Sequence, residues 1–578
     1  MLKIYNTLTQ KKEDFVPISR GEVKIYNCGP TVYGYFHIGN ARNFIVVDVI
    51  RRYLTFRGLK VTLVQNVTDV DDKIIKRALD EKTTPQAVAE TFTKAYFEDL
   101  EALSVLPPDV NPKATEHIGE MQELIKLLID NGSAYVSEGD VYMDVGKVKD
   151  YGKLSHKNIE ELQAGARIEV SDKKHSPLDF VLWKKDKNEG ISWASPWGPG
   201  RPGWHTECCV MSGKYLQHPF DIHSGGIDLV FPHHENELAQ VETATGKKLA
   251  NYWVHNGHLN IHGEKMSKSL NNFLLARDIL KKQDKNTIRF FLLSAHYRSP
   301  LDFTEDNVTN AKYGFTDVDN TLDRVTKLLS KNNVSGGTLY TNLVEKGKEM
   351  EAKFVAAMDD DFNTAQAIAA LLEYADEIKK TIKKKDLVLN YENRNALKLA
   401  GEKLSALLTI LGFEFIKEAE STQKKEEINA VVLERDAARK NKDWTKSDLI
   451  RKTIAGEGFA VEDTPNGQIT FLLKHRDTGE ICPVCNNGIL MAHEVNRHVS
   501  TYTCQKCPAV FDAEVRHDFE NRKHWWVGKH RNPKFWTYDN ETLLDGLMKM
   551  EEKINSGKSE YREYLDEYEI EIIQGKKK

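Results

Sequence analysis

Seven cysteines offer the most reactive side chains in this chain. They stand at Cys28, at the adjacent pair Cys208 and Cys209, and in a quartet, Cys482, Cys485, Cys504 and Cys507. An odd, scattered count without a secretory signal argues for metal or catalytic use over a disulfide framework. The quartet reads C-P-V-C, then eighteen residues, then C-Q-K-C. That is the spacing of a four-thiolate structural zinc site, in which two turns each present a pair of sulfurs. A site of this kind closes its coordination shell and holds a fold; it says nothing about catalysis.

Two further segments suit phosphate chemistry. H-I-G-N, His37 to Asn40, falls where a loop runs into a helix, and a helix N-terminus favours an anion. K-M-S-K-S, Lys265 to Ser269, lies in a polar loop. A lysine-serine loop alone is ordinary solvated surface; order and separation, with a nucleotide-type sheet between, give the pair its meaning. His233 and Glu237 are four residues apart just after Pro232, so on a helix they share one face. Neither G-x-G-x-x-G at the first helix nor G-x-x-x-x-G-K-[ST] occurs, which counts against a nicotinamide, flavin or P-loop protein.

The elements that must carry these residues are legible in outline. EVKIYNC alternates like a strand and stops at Gly29-Pro30. From about Ile38 to Phe56, apolar residues recur at helical spacing; Gly58 ends the run, and LKVTLVQNV reads as a buried strand. Strand, helix and parallel strand open an α/β nucleotide-binding sheet, whose ligands sit at the carboxyl ends of strands. Cys28, Asn66, Thr68 and Asp69 fall there. The expected architecture is a Rossmann-type catalytic domain over 1–114 and 201–304, interrupted by a connective insertion over 115–200. A helical bundle over 305–415, a small α+β unit over 416–473 and a zinc-ribbon module over 474–578 follow.

Several longer segments resemble one family. YNCGPTVYGYFHIGNAR, NVTDVDDKI, SPLDFVLWK, GWHTEC, DIHSGGIDLVFPHHENELAQ, EKMSKSLNNF and DDDFNTAQA are similar to class I aminoacyl-tRNA synthetases, and within them to the cysteinyl-tRNA synthetase family. With further matches to about residue 473, the likeness covers roughly four-fifths of the chain. It implies activation of L-cysteine by ATP, with magnesium, followed by transfer to tRNA(Cys). By this resemblance His37 and Asn40 contact the phosphate and ribose side, Lys268 stabilises the leaving pyrophosphate, and Lys265 contributes secondarily. Gly39, Gly225, Gly226 and Asp228 line the ATP. Asn40 replaces the final histidine of the usual H-I-G-H, a variant common in the cysteinyl branch.

The resemblance also implies one zinc on Cys28, Cys208, His233 and Glu237, with Cys209 as a small buried hydrophobe. A thiolate is a strong zinc ligand and an alcohol a poor one, so such a site separates cysteine from serine without an editing domain. Four protein ligands leave no free tetrahedral position; zinc expands its shell or loosens one, and Glu237 is the expected one. Trp204 would pack on the substrate, and Thr68 would hold its amino or thiol end. Arg435, Arg439, Trp444 and Asp448 resemble the family's anticodon-reading region, offering a guanidinium fork, a stacking indole and a carboxylate acceptor.

The segment after about 474 departs from the family. Its quartet implies a second zinc, and RKHWWVGKHRNPKFW (Arg522 to Trp536) mixes basic and aromatic residues in a way that suits either RNA or a small core. A net charge of −5, 40% hydrophobic and 29% charged residues, and no window of about 18 apolar residues point to a soluble cytoplasmic enzyme, expected to be a monomer, without membrane spans. Two rivals remain: a cysteine-activating ligase with an amino-sugar acceptor, and a non-enzymatic RNA-binding relic. The first should lack an anticodon-type module; the second should have lost His37, Lys268 or a zinc ligand.

Overall fold

The computed structural model describes residues 1–158, 161, 173–187, 190–265, 273–330, 342–384, 386–415 and 422–456, and strands between 459 and 530. The chain forms two compact units: Met1–Val318 with Thr341–Ile378 and Leu399–Phe415, and Asp319–Tyr340 with Lys379–Lys398 and Ile416–Lys578.

The heart of the first unit is a four-stranded sheet in the order Ala250–Asn256, Phe220–Gly226, Glu22–Asn27, Lys60–Gln65. Every neighbouring pair is parallel. From Glu22–Asn27 the chain passes through the helix Ile38–Phe56 to Lys60–Gln65 on one side, and much later reaches Phe220–Gly226 on the other. Neighbouring strands whose connections leave in opposite directions open a crevice at their carboxyl ends, where ligands of such sheets bind. Gly58, at φ +82°, lets the chain turn from helix back to strand where a side chain would be strained.

A buried amide network holds the four strand ends together. Asn27 Nδ2 donates to Asn43 Oδ1 and to Gln65 Oε1, both at 3.0 Å. Asn43 Nδ2 donates to Asn256 Oδ1 at 2.9 Å, and Ser224 Oγ to Asn27 Oδ1 at 3.0 Å. One residue from each strand thus joins through the long helix. Burying amides is tolerable only when their bonds are made, so the network fixes one arrangement of strand ends. Asn27→Leu is expected to cost about 2 kcal/mol, because it leaves the buried partners unpaired; a lowered denaturation midpoint checks it.

Between the second and third strands of this sheet lies a four-stranded antiparallel sheet, Ala134–Ser137, Asp140–Met143, Phe180–Lys185 and Gly200–Pro202. With the helix Ile118–Asp130 it encloses Leu128, Val141, Met143, Leu182 and Trp183. A smaller sheet pairs Leu259–Ile261 with Glu264–Lys265 and with Leu301–Phe303.

The D-D-D-F-N-T run proves to be an anchor. Asp361 and Phe362 take φ of +63° and +51°. This turns the Asp361 carboxylate inward to accept from Tyr5 N at 2.8 Å, Tyr297 Oη at 2.8 Å and Arg298 Nε at 2.7 Å.

In the second unit the helices Thr422–Lys440 and Trp444–Gly456 meet the hairpin Phe459–Thr464 and Gly467–Leu472 around Ile450, Ile454 and Val461. Five antiparallel strands follow in sequential order: His475–Ile481, Ile489–Val495, His498–Cys504, Val510–Asp518 and Lys523–His530. Of the quartet, Cys504 ends the third of these, while Cys482, Cys485 and Cys507 lie outside the described residues. The stretch from Arg522 to Trp536 contributes the last strand; its remainder also lies outside them. Among the described residues no helix is long and apolar enough to cross a membrane.

Candidate active site

Cys28 follows directly on the strand Glu22–Asn27, Cys208 lies in the helix Trp204–Leu216, and Glu237 in the helix Glu235–Thr245, with His233 one turn before it. Their ligating atoms all lie within 4.8 Å of one another, and all four residues are buried. Cys28 Sγ is 3.8 Å from Cys208 Sγ and 3.6 Å from Glu237 Oε1. Cys208 Sγ is 3.7 Å from His233 Nε2, which is 2.8 Å from Glu237 Oε1. Two thiolates bound tetrahedrally at about 2.3 Å stand about 3.8 Å apart, so this donor set fits a zinc ion. His233 Nδ1 lies 2.9 Å from His205 Nδ1, the kind of outer partner that orients a ligating imidazole.

The adjacent thiols part company. Cys209 Sγ points to the carbonyls of His205 at 3.2 Å and Glu237 at 3.5 Å, and it belongs to no candidate metal cluster among the described residues. A second possible set, Cys28, His223, His234 and Glu237, overlaps the first. The set with two thiols suits zinc better, because soft sulfur ligands favour that metal.

Charge in this pocket is strongly coupled. Burial would raise the Glu237 carboxyl, but the His233 and His223 imidazoles override it and hold it well below the usual carboxylate range. Burial works against protonated His233 as well, yet Glu237 and Cys208 raise it to about 10. Burial, with Cys208 alongside, pushes the Cys28 thiol well up. Burial would raise Cys208 too, but its contact with Cys28 and the His233 charge bring it below its ordinary value. Cys208 is therefore the first thiol of the pair to ionise.

Behind the cluster lies a set of histidines that sequence reasoning missed. His234 Nε2 is 3.2 Å from Cys28 Sγ, its Nδ1 is 2.8 Å from His255 Nε2, and His255 Nδ1 is 2.8 Å from Thr7 Oγ1. His223 Nε2 sits 2.7 Å from Glu237 Oε2. Burial is the main cause that holds His234 well below its ordinary range, and His255 down at about 3. The adjacent H-H-E in the sequence hinted at more than one inward histidine; His223 and His255 gave no local signal.

Trp204 caps this pocket: its ring stacks on His233 at 4.0 Å and 16° and remains 37% exposed, at the mouth. Thr68 is buried, its hydroxyl 2.7 Å from Glu207 Oε2. Gly29 is required as glycine, since a Cβ there would lie 1.6 Å from the carbonyl oxygen of Asn66.

On the nucleotide side, His37 is the N-cap of the helix Ile38–Phe56. Its Nδ1 accepts from Asn40 N, and Asn40 Oδ1 accepts from His37 N, both at 3.3 Å. The two ends of H-I-G-N thus form a reciprocal capping box. That bond makes Nδ1 the acceptor and puts the ring proton of neutral His37 on Nε2. Gly39 lies in the first turn of the helix. The segment just after the lysine-serine loop docks here: Ile38 N donates to Leu274 O at 2.9 Å, Ala276 N to Phe36 O at 3.2 Å, and the His37 ring meets Phe273 edge-on at 4.6 Å. Lys265 ends the hairpin that enters the loop; Lys268 lies outside the described residues. Gly225 and Gly226 close the strand Phe220–Gly226, and a Cβ on Gly225 would meet His234 at 2.7 Å. Asp228, just beyond, is exposed.

In the second unit Trp444 is exposed and Arg439 lies over its ring at 5.4 Å, with Asp448 exposed on the same helix as Trp444. Arg435 departs from the sequence expectation. It is buried, because its position falls on the inward face of its helix, so base contacts would fall to the other three.

Residues 14–313 match the family profile described as tRNA synthetases class I (C) catalytic domain, and 353–416 match the DALR domain. The cysteine–tRNA ligase of Geobacillus thermodenitrificans is 47% identical over 473 residues, 81% of this chain and 98% of the relative. That of Symbiobacterium thermophilum is 48% identical over 472 residues, with the same coverage. Among solved structures, Mycobacterium tuberculosis methionyl-tRNA synthetase in complex with methionyl-adenylate aligns with a TM-score of 0.51 at 15% identity, covering 68% of this chain and 90% of that one. This last likeness is one of fold.

Proposed function

The chain belongs to the cysteine–tRNA ligase family of class I synthetases, and from that premise we propose that the cluster Cys28, Cys208, His233 and Glu237 is the zinc site by which it selects its substrate. The activity is the ATP-driven ligation of cysteine to tRNA. The observation that carries the proposal is the separation of the four ligating atoms, which suits a tetrahedral metal with two sulfur ligands. Zinc supplies a soft Lewis acid that takes a thiolate strongly and an alcohol poorly.

The chemistry asks the chain mainly for positioning. The cysteine carboxylate attacks the α-phosphorus of ATP, and the bond to the bridging oxygen breaks to release pyrophosphate. A terminal hydroxyl of tRNA(Cys) then attacks the adenylate carbonyl and releases AMP. Charge spreads over phosphoryl oxygens in the first step, so fixed donors and cations there lower the barrier. His37, with its proton on Nε2, offers such a donor. The side-chain NH2 of Asn40 offers another, its oxygen being held by His37 N. Gly39 brings the helix N-terminus close to the phosphates, and Gly225, Gly226 and Asp228 line the adenosine. Lys265 and Lys268 serve the β- and γ-phosphates, which magnesium accompanies. Lys268→Ala is expected to slow adenylate formation about 10²- to 10³-fold, the usual cost of one transition-state charge partner, with the fold unchanged by circular dichroism.

Thr68 and Trp204 frame the amino acid, and Arg439, Trp444 and Asp448 read the anticodon. The quartet Cys482, Cys485, Cys504 and Cys507 binds a second, structural zinc on the strength of its spacing alone. The protein acts as a cytoplasmic monomer. The decisive experiment charges unfractionated tRNA with each of the twenty amino acids, using zinc-loaded protein, ATP and magnesium. Charging with cysteine alone is the expected outcome; cysteine-dependent pyrophosphate exchange without charging would overturn the tRNA acceptor.

A further inference from the structure

Glu207 is a buried carboxyl that the mechanism above does not use. It is 1% exposed, and a carboxyl is almost never buried so fully unless a partner compensates it. Among the described residues its one hydrogen-bond partner is the Thr68 hydroxyl, at 2.7 Å, and it makes no ion pair with lysine or arginine. A place in the first turn of the helix Trp204–Leu216 gives it a favourable dipole, but that needs no burial.

The bonds leading to Glu207 have a fixed direction. Gly29 N can only donate, and it does so to Asn66 Oδ1 at 2.8 Å. The other end of that amide, Nδ2, then donates to Thr68 Oγ1 at 3.2 Å. With one lone pair taken, Thr68 passes its own proton toward Glu207 and keeps a second lone pair as an acceptor. The chain of bonds starts one residue after Cys28 and ends one residue before Cys208, so it borders the candidate thiol site on two sides. What the pocket offers there is a hydroxyl acceptor beside a carboxyl without a cation.

We infer that Glu207 and Thr68 form the ammonium subsite of the amino-acid pocket, with the substrate's α-ammonium as the missing counter-ion. This rests on the reading of the neighbouring cluster as the cysteine-thiol site. Only two carbons separate sulfur from nitrogen in cysteine, so a sulfur held at the cluster brings the ammonium to adjoining groups. The subsite also sets specificity: a thiol acid without an amino group leaves Glu207 uncompensated.

The test compares cysteine with 3-mercaptopropionate, which has the same thiol and carboxylate but no ammonium, as ligands of the zinc-loaded full chain. Inhibition or support of pyrophosphate exchange gives each affinity, and atomic absorption gives zinc content. Glu207→Gln is expected to weaken cysteine about thirtyfold or more, as loss of one partner of a buried charge pair does. It should leave 3-mercaptopropionate and zinc content unchanged, and Thr68→Val should shift cysteine in the same selective way by a smaller factor. Equal weakening of both ligands, or of neither, in both variants overturns the inference while leaving the thiol site intact. If the zinc-loaded parent chain binds neither thiol, the reading of the cluster fails first, and the subsite with it.

Discussion

Cys208→Ser will bind zinc at least about a hundredfold more weakly than the parent chain, the upper range for changes in the ligands' outer partners, and will lose most of its preference for cysteine over serine. Cys208 is buried beside Cys28 and His233, and a serine hydroxyl there neither ionises near neutral pH nor suits a soft metal. A site that binds a distinctive substrate group discriminates by about 10⁴ to 10⁵, whereas shape alone separates near-isosteres by about a hundredfold. Selectivity in pyrophosphate exchange should fall from the first range toward the second. The protons give an independent readout. In the metal-free chain Cys28 is pushed up by burial, and His233 is raised to about 10 by Glu237 and Cys208, which outweigh its burial. Both hold protons near neutral pH that a bound metal must displace, so zinc affinity rises with pH. The variant loses one titrating thiol, and its affinity should climb less steeply. Chelator competition at several pH values measures both effects, and unchanged zinc content with unchanged selectivity would sink the assignment.

Much of this site could be read from local pattern, for definite reasons. The strand ending at Cys28, the helix after H-I-G-N and the strand Lys60–Gln65 each carry a clear period and a glycine stop, so their residues fall into place on the sheet. His233 and Glu237 share a face because they are one turn apart. The pieces that escaped depend on packing between distant segments. His255 reaches His234 across 21 residues, and Glu207 reaches Thr68 across 139; no local period marks either pair. The D-D-D-F-N-T run stood out as a motif, yet its work is to accept bonds from Tyr5, Tyr297 and Arg298. Arg435 shows the opposite failure: an arginine on an amphipathic helix reads as solvent-facing, and only the packed unit reveals it as buried. The same long-range logic hides the contact that joins the two phosphate signatures.

That contact is Arg289, and Arg289→Met is expected to cost the first unit about 3 to 5 kcal/mol. Arg289 lies in the helix Lys285–Leu293, beyond the lysine-serine loop, and Asp48 lies in the helix capped by His37. Both are almost wholly buried, with Arg289 Nη1 at 2.9 Å from Asp48 Oδ2. The guanidinium also donates to the carbonyls of Leu411, Leu103 and Ser104. At Gly412, with φ of +79°, a Cβ would lie 2.2 Å from it. Methionine fills the space but leaves Asp48 with Arg52 as its remaining cation and abandons the three carbonyls. An unpaired buried charge costs more than the pair contributes, so a second change, Asp48→Leu, should restore part of the loss. Asp48 stands about 16 Å along the helix from His37, at 1.5 Å per residue. Arg289 therefore acts on the scaffold and stays remote from the phosphates. The denaturation midpoint should fall in the single variant and recover partly in the double, while pyrophosphate exchange well below the midpoint persists in both. A midpoint unmoved by Arg289→Met would mean that the two helices are held together by their apolar surfaces alone.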